Sequence, residues 1–179
     1  MLTSRGTAKR QADRLAGQVA ANRAVAALVH GPFRVERAPS GRPVVTDVHD
    51  LEVSITHVDG EALALAVRGA RAGVDMEKVE PRSDSFVAEW FTPGEQAWAR
   101  TDEERTAVWS VKEAVLKALG AGMALSPREI DVVELVEGRA TVRLSGEVAE
   151  AHRALGGAPL RVRVGRFQGR VVATAVFAA

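Results

Sequence analysis

The chain has 179 residues, 46% of them hydrophobic and 26% charged, which is enough for one ordinary core or two small fused halves and too apolar for extended disorder. A formal net charge of +1 speaks against a protein that coats nucleic acid, and the absence of cysteine excludes disulfides, thiolate metal sites and cysteine nucleophiles. No apolar signal core opens the chain and no apolar run reaches the length of a membrane span, so a cytoplasmic protein with no membrane or nucleic-acid partner is expected.

In chain order, Ala8 to Val29 has the alanine-rich composition of a long helix, ended by His30-Gly31-Pro32. Lys9, Arg10 and Arg14 read as its solvated face. Val35 to Val45 reads as extended chain interrupted by the turn Pro39-Ser40-Gly41-Arg42-Pro43. Leu51 to Val67 reads as a β-hairpin, with Val53 and Ile55 alternating and a turn at Asp59-Gly60. An acidic turn follows, Gly73-Val74-Asp75-Met76-Glu77-Lys78, on an extended segment that sends Asp75 and Glu77 to one side.

Ser85 to Trp90 is expected to be a short helix. Thr92 caps another, with Pro93 at its first position and Glu95 closing a capping box. The second long helix is expected from Glu104 to Leu119, stopped by Gly120-Ala121-Gly122. Along it Val108, Val111, Val115 and Leu119 have the spacing of a buried stripe, and Trp109, Glu113 and Lys117 run along the margin of that stripe. Strands at Ile130 to Leu135 and Ala140 to Leu144 flank the turn Glu137-Gly138.

The final segment repeats an earlier one. Leu51 to Val67 aligns without a gap on Leu160 to Val176, placing Val53 on Val162 and Gly60 on Gly169, and Val19 to Val29 aligns on Trp109 to Leu119. Two copies of one helix-plus-hairpin unit are expected. The fold class is α+β, a pseudo-two-fold duplication of a long helix packed on a small antiparallel sheet. The halves are expected at 1–72 and 73–179, with a cleft between them.

Asp75, Glu77 and Glu113, with Lys112 and Lys117 close by, are a set that can hold a hard divalent ion and a phosphate group together. Each part alone has an ordinary explanation. A Glu four residues before a Lys stabilises a helix surface by roughly 0.2–0.5 kcal/mol wherever it occurs, and two acidic residues in a turn are commonplace.

The ordered series of motifs resembles the surfactin-type 4'-phosphopantetheinyl transferases. Gly73 to Glu77 is similar to the family's Gly-Val/Ile-Asp-x-Glu motif, and Trp109 to Lys117 to its Trp-Ser/Thr-x-Lys-Glu-Ala/Ser-x-x-Lys motif. Gly41-Arg42-Pro43, Ser54-Ile55-Thr56-His57, Pro81-Arg82 and Phe91-Thr92-Pro93-Gly94-Glu95 look like the elements around them, so the resemblance covers roughly Gly41 to Ile130. It departs at Thr56 and Val58, where serines are common.

The resemblance implies a pseudo-dimeric, monomeric enzyme that moves 4'-phosphopantetheine from coenzyme A to a serine of an acyl or peptidyl carrier protein, releasing 3',5'-adenosine bisphosphate. Carriers of fatty-acid, polyketide and peptide-synthetase type are not distinguished. Asp75, Glu77 and Glu113 would bind Mg²⁺. Lys117 and Lys112 would face the coenzyme phosphates, His57 the 3'-phosphate, and Arg42 the adenosine part. Glu113 or a metal-bound water would take the serine proton, and Glu113 and Lys117 form the catalytic pair. A metal-dependent phosphodiesterase or nuclease, and a carrier-protein binding module without catalysis, are the alternatives.

Overall fold

The computed structural model describes residues 4–178. Its elements are α1 (Ser4–Ala26), β1 (Arg34–Arg37), β2 (Pro43–Thr46), β3 (Leu51–Val58), β4 (Glu61–Arg68), β5 (Ala70–Lys78), α2 (Asp84–Trp90), α3 (Pro93–Trp98), α4 (Asp102–Leu119), β6 (Ile130–Val136), β7 (Arg139–Leu144), α5 (Gly146–Ala154), β8 (Arg161–Phe167) and β9 (Arg170–Ala178). Single 3₁₀ turns at Gly122–Ala124 and Pro127–Glu129 connect α4 to β6. Two antiparallel hairpins, β1–β2 and β3–β4, precede a five-stranded antiparallel sheet in the order β5-β9-β8-β7-β6. The α+β class holds. No described helix is long and apolar enough to cross a membrane.

Each hairpin of the repeat carries a long helix. Helix α1 covers β3–β4 through Ala21 and Val25, which pack with Leu51 and Val53. Helix α4 covers the larger sheet: Val108, Val111, Ala114, Val115 and Leu116 are buried with Ala173, Ala175 and Phe177 of β9. Burying an aliphatic side chain of this size stabilises by about 1.5–3 kcal/mol, so the α4 stripe anchors the fold. Capping fixes where that helix starts. Thr101 and Glu104 close a reciprocal box at its first turn, and Gly120 (φ 73°) ends it in the left-handed region that glycine enters without strain.

Strand β5 joins the two layers. It is the edge of the large sheet, so one row of its N–H groups has no ladder partner. Hydroxyls from β3 answer them: Val74 N–H donates to Ser54 Oγ (3.0 Å) and Met76 N–H to Thr56 Oγ1 (3.1 Å). Ala72, Val74 and Met76 are buried, while Gly73, Asp75 and Glu77 point the other way, toward α4.

Several expectations change. The acidic segment is a full strand, because it pairs with β9 along its whole length. Strand β5 begins directly after Gly69, and Ala70, Arg71 and Ala72 already pair with β9. Helix α1 runs Ser4–Ala26 where Ala8 to Val29 was expected, because the chain ahead of Gly31 and Pro32 unwinds through a tighter turn in which Leu28 N–H donates to Val25 O. Helix α5 was not anticipated. Part of its first turn is satisfied from a distance, by Glu129 Oε2 accepting from Val148 N–H at 2.9 Å, a contact with no local sequence mark.

Candidate active site

The approach of α4 to β5 builds the site. At Gly73 a side-chain carbon would overlap the Ala114 carbonyl oxygen and stand 2.6 Å from Ala118 N, so only glycine lets the helix backbone lie on the strand there. Two residues on, Asp75 meets Lys117 on the same stretch of α4. Lys117 Nζ donates to Asp75 Oδ1 at 2.7 Å and to Val74 O at 3.1 Å. Thr56 Oγ1 donates to the same Asp75 oxygen at 3.3 Å. The second oxygen, Oδ2, is buried without a hydrogen-bond partner.

Around this pair lies a cavity of about 650 Å³. Its wall takes Arg42 and Gly41 from the turn before β2, Thr56 and His57 from β3, Asp75 and Glu77 from β5, and Lys117 and Gly120 from the end of α4. His57 is exposed at this wall. Of the residues singled out in the sequence, Arg42, His57, Asp75, Glu77 and Lys117 line this cavity, whereas Glu113 and Lys112 are not in its wall.

Glu77 is held by Arg82, whose Nη2 donates to Oε2 at 2.9 Å, and Arg82 in turn lies over the Phe86 ring, 5.3 Å from its centroid. Burial, and then the neighbouring Asp75 charge, push the Glu77 carboxyl above its usual range against the pull of Arg82. Glu113 is raised too, first by burial; Lys117 opposes this while Asp75 and Glu77 add to it. The three carboxylates thus share one electrostatic neighbourhood. Among the described residues no three metal-ligating groups converge closely enough to hold an ion as they stand. The donor set still suits a hard cation. It is all oxygen, it is repulsive to itself, and it includes one buried oxygen lacking any partner.

Lys112 is a correction. Its side chain is fully buried, paired with the equally buried Glu95 at 2.9 Å, and it donates to Pro127 O (3.0 Å) and Ile130 O (2.5 Å). It lies on the core side of α4 and cannot face a phosphate in the cleft. The signal was present in the sequence: Lys112 is four residues after Val108 and three before Val115, inside the buried stripe. Burial holds its ammonium below the usual lysine range, opposed by Glu95. Glu95 caps α3 as expected, and it also accepts from Thr92 N–H and Val132 N–H, both at 2.7 Å. Trp109 is a packing anchor, its ring edge-on to Phe86 at 4.8 Å.

Sequence reasoning missed three contributors. Thr56, noted only for departing from a serine, orients Asp75. Arg82, noted only as part of a Pro-Arg pair, holds Glu77. Arg71 braces the end of α4 by donating to Ala118 O and Leu119 O.

Fold and site together define an α+β protein with an acidic, lysine-bearing cleft between a hairpin layer and a larger sheet. The chain belongs to the 4'-phosphopantetheinyl transferase superfamily, whose family model matches residues 71–175. It is 26% identical over 110 residues to a 4'-phosphopantetheinyl transferase of Bacillus subtilis, a match covering 58% of this chain and 49% of that protein. It is 36% identical over 89 residues to the holo-[acyl-carrier-protein] synthase of Frankia alni, covering 46% of this chain and 75% of that one. It is likewise 27% identical over 110 residues to the 4'-phosphopantetheinyl transferase Sfp of Bacillus subtilis, covering 58% of this chain and 49% of that protein. The chain matches about half the length of those Bacillus relatives. Among solved structures, the ACPS–CoA complex of Chronobacterium ammoniagenes aligns with a TM-score of 0.51 and 24% identity, covering 61% of this chain and 96% of that one. The holo-ACP-synthase of Plasmodium yoelii aligns at 0.52 with 19% identity, covering 63% and 98%. These two likenesses speak for the fold.

Proposed function

We propose that this chain transfers 4'-phosphopantetheine from coenzyme A to a serine of an acyl or peptidyl carrier protein. The observation that carries the reading is the Asp75–Lys117 pair in the wall of the cavity, with Glu77 and Glu113 raised by burial beside it. Family membership supports the reaction class. The unit is read as two halves around one cleft, active as a monomer in the cytoplasm. Sedimentation showing an obligate oligomer would contradict that state.

The serine oxygen would attack the β-phosphorus. A new P–O bond forms, the bond from that phosphorus to the bridging oxygen breaks, and 3',5'-adenosine bisphosphate leaves with the bond's electron pair. Asp75, Glu77 and Glu113 would hold Mg²⁺, which supplies charge neutralisation for the diphosphate and its leaving group. Lys117, 2.7 Å from Asp75, would turn its ammonium to a diphosphate oxygen. Glu113 would accept the serine proton and then release it. His57 and Arg42 line the same cavity and would face the 3'-phosphate and the adenosine part of the coenzyme.

The experiment is mass spectrometry of an apo carrier protein incubated with coenzyme A, Mg²⁺ and this chain. A transferase adds phosphopantetheine to the carrier. A phosphodiesterase cleaves coenzyme A without changing the carrier, and a binding module changes neither.

A further inference from the structure

Beside Arg42, the end of α4 meets Arg71 and Glu52, two residues that the proposed reaction does not use. Arg71 donates through Nε to Ala118 O (3.3 Å) and through Nη2 to Leu119 O (3.4 Å). Its Nη1 pairs with Glu52 Oε1 at 3.3 Å, and the other oxygen of Glu52 takes Arg42 Nη2. The three side chains are largely shielded, with exposures of 17% for Arg71, 25% for Glu52 and 22% for Arg42. A methyl group at Gly120 would stand 2.8 Å from Arg42 Nη1 and 3.0 Å from Arg71 Nη2. Both guanidinium groups therefore crowd one helix end.

Physical chemistry explains why they stay there. A helix C-terminus concentrates partial negative charge on its last carbonyls, which favours cations. Two guanidiniums repel, and burial with Arg42 nearby holds Arg71 below its usual range; the Glu52 carboxylate between them offsets this. The rigid fork of a guanidinium gives each donor a fixed direction, so Arg71 can grip the helix and Glu52 at once. Of the three, Arg42 lines the cavity, whereas Arg71 and Glu52 stand behind it.

We propose that Arg71 is a positioning residue. Through Glu52 it fixes the Arg42 guanidinium in the cavity wall, ready for the nucleotide part of coenzyme A. This rests on reading the cavity as the coenzyme site. Strand β5 and the end of α4 would thereby set the coenzyme affinity of a side chain contributed by the turn before β2.

Calorimetric titration of coenzyme A into the full chain with Mg²⁺ tests it, using the parent, Arg42→Ala, Arg71→Ala and the double variant. Arg71→Ala should weaken binding by about tenfold in the parent and by almost nothing once Arg42 is Ala, since residues acting through one contact are not additive. An equal loss in both backgrounds would make Arg71 only a brace of the helix and overturn the proposal. So would parent-like binding by Arg71→Ala, or by Arg42→Ala, with the coenzyme reading left standing. No binding by the parent protein would remove the coenzyme reading and this proposal with it. If Arg71→Ala does not fold, Glu52→Gln serves, because it keeps the Arg71 bonds to α4 and removes the charge linking it to Arg42. It should weaken binding several-fold in the parent and leave Arg42→Ala unaffected; parent-like binding there overturns the link.

Discussion

Replacing Lys117 with Ala removes the one ammonium that, among the described residues, the structure puts on Asp75. That carboxylate is 6% exposed and already has one oxygen without a partner, so the remaining support is the 3.3 Å bond from Thr56. Losing a hydrogen bond to a charged group costs about 1.5–3 kcal/mol. Lys117 is itself 27% exposed, so water replaces part of what is lost, and about 2 kcal/mol is the working figure. For a chain of this size that lowers Tm by about 4–8 °C. The assay is thermal unfolding followed by circular dichroism, in metal-free buffer and again with millimolar Mg²⁺. The variant should melt lower without metal and recover more than the parent does with it, because the uncompensated carboxylates attract the ion. Transfer to a carrier protein should fall about ten- to a hundredfold, the kinetic equivalent of a lost charged hydrogen bond. An unchanged metal-free Tm would refute the Asp75 pairing, and an unchanged transfer rate would make Lys117 a mere helix-surface cation.

Gly73→Ala drives a methyl group into the α4 backbone and should cost more than about 3 kcal/mol, read as loss of cooperative unfolding or a collapse in Tm. Lys112→Met leaves Glu95 buried without its counter-charge and should cost about 3–5 kcal/mol; coenzyme affinity of the folded fraction should stay at the parent value, and a large drop would return Lys112 to the phosphate site. Glu77 and Glu113 have raised carboxyls, so the folded chain holds more protons than the unfolded one between their usual and raised values. Metal-free stability should therefore fall as pH rises through that interval, with Mg²⁺ opposing the fall. Glu113→Gln should melt higher than the parent in metal-free buffer at neutral pH and lose the Mg²⁺-dependent gain; melting curves across pH check both.

Much of this architecture was legible because its signals are local. The hairpin turns Asp59-Gly60 and Gln168-Gly169, the box Thr92–Glu95 and the stop at Gly120 each depend on residues within a few positions. Alternation along β5 put Asp75 and Glu77 on one face, although its pairing with β9, about a hundred residues away in the chain, was invisible and the segment read as a turn. Non-local support also hid α5, whose start leans on Glu129. Lys112 was misplaced because it adjoins Glu113, the motif carboxylate proposed as a metal ligand. Adjacent helix residues point about a hundred degrees apart, and the direction of Lys112 is that of the valine stripe. Arg71 and Glu52 carried no motif; only the meeting of β3, β5 and α4 gives them a partner.

The most direct test of the central claim is the intact mass of an apo carrier protein over time, with coenzyme A and Mg²⁺, in the presence of the parent chain and of Asp75→Asn. The account predicts that the parent adds one phosphopantetheine to the carrier serine while folded Asp75→Asn adds none. A carrier that keeps its apo mass with the folded parent, or gains the group equally with Asp75→Asn, would contradict it.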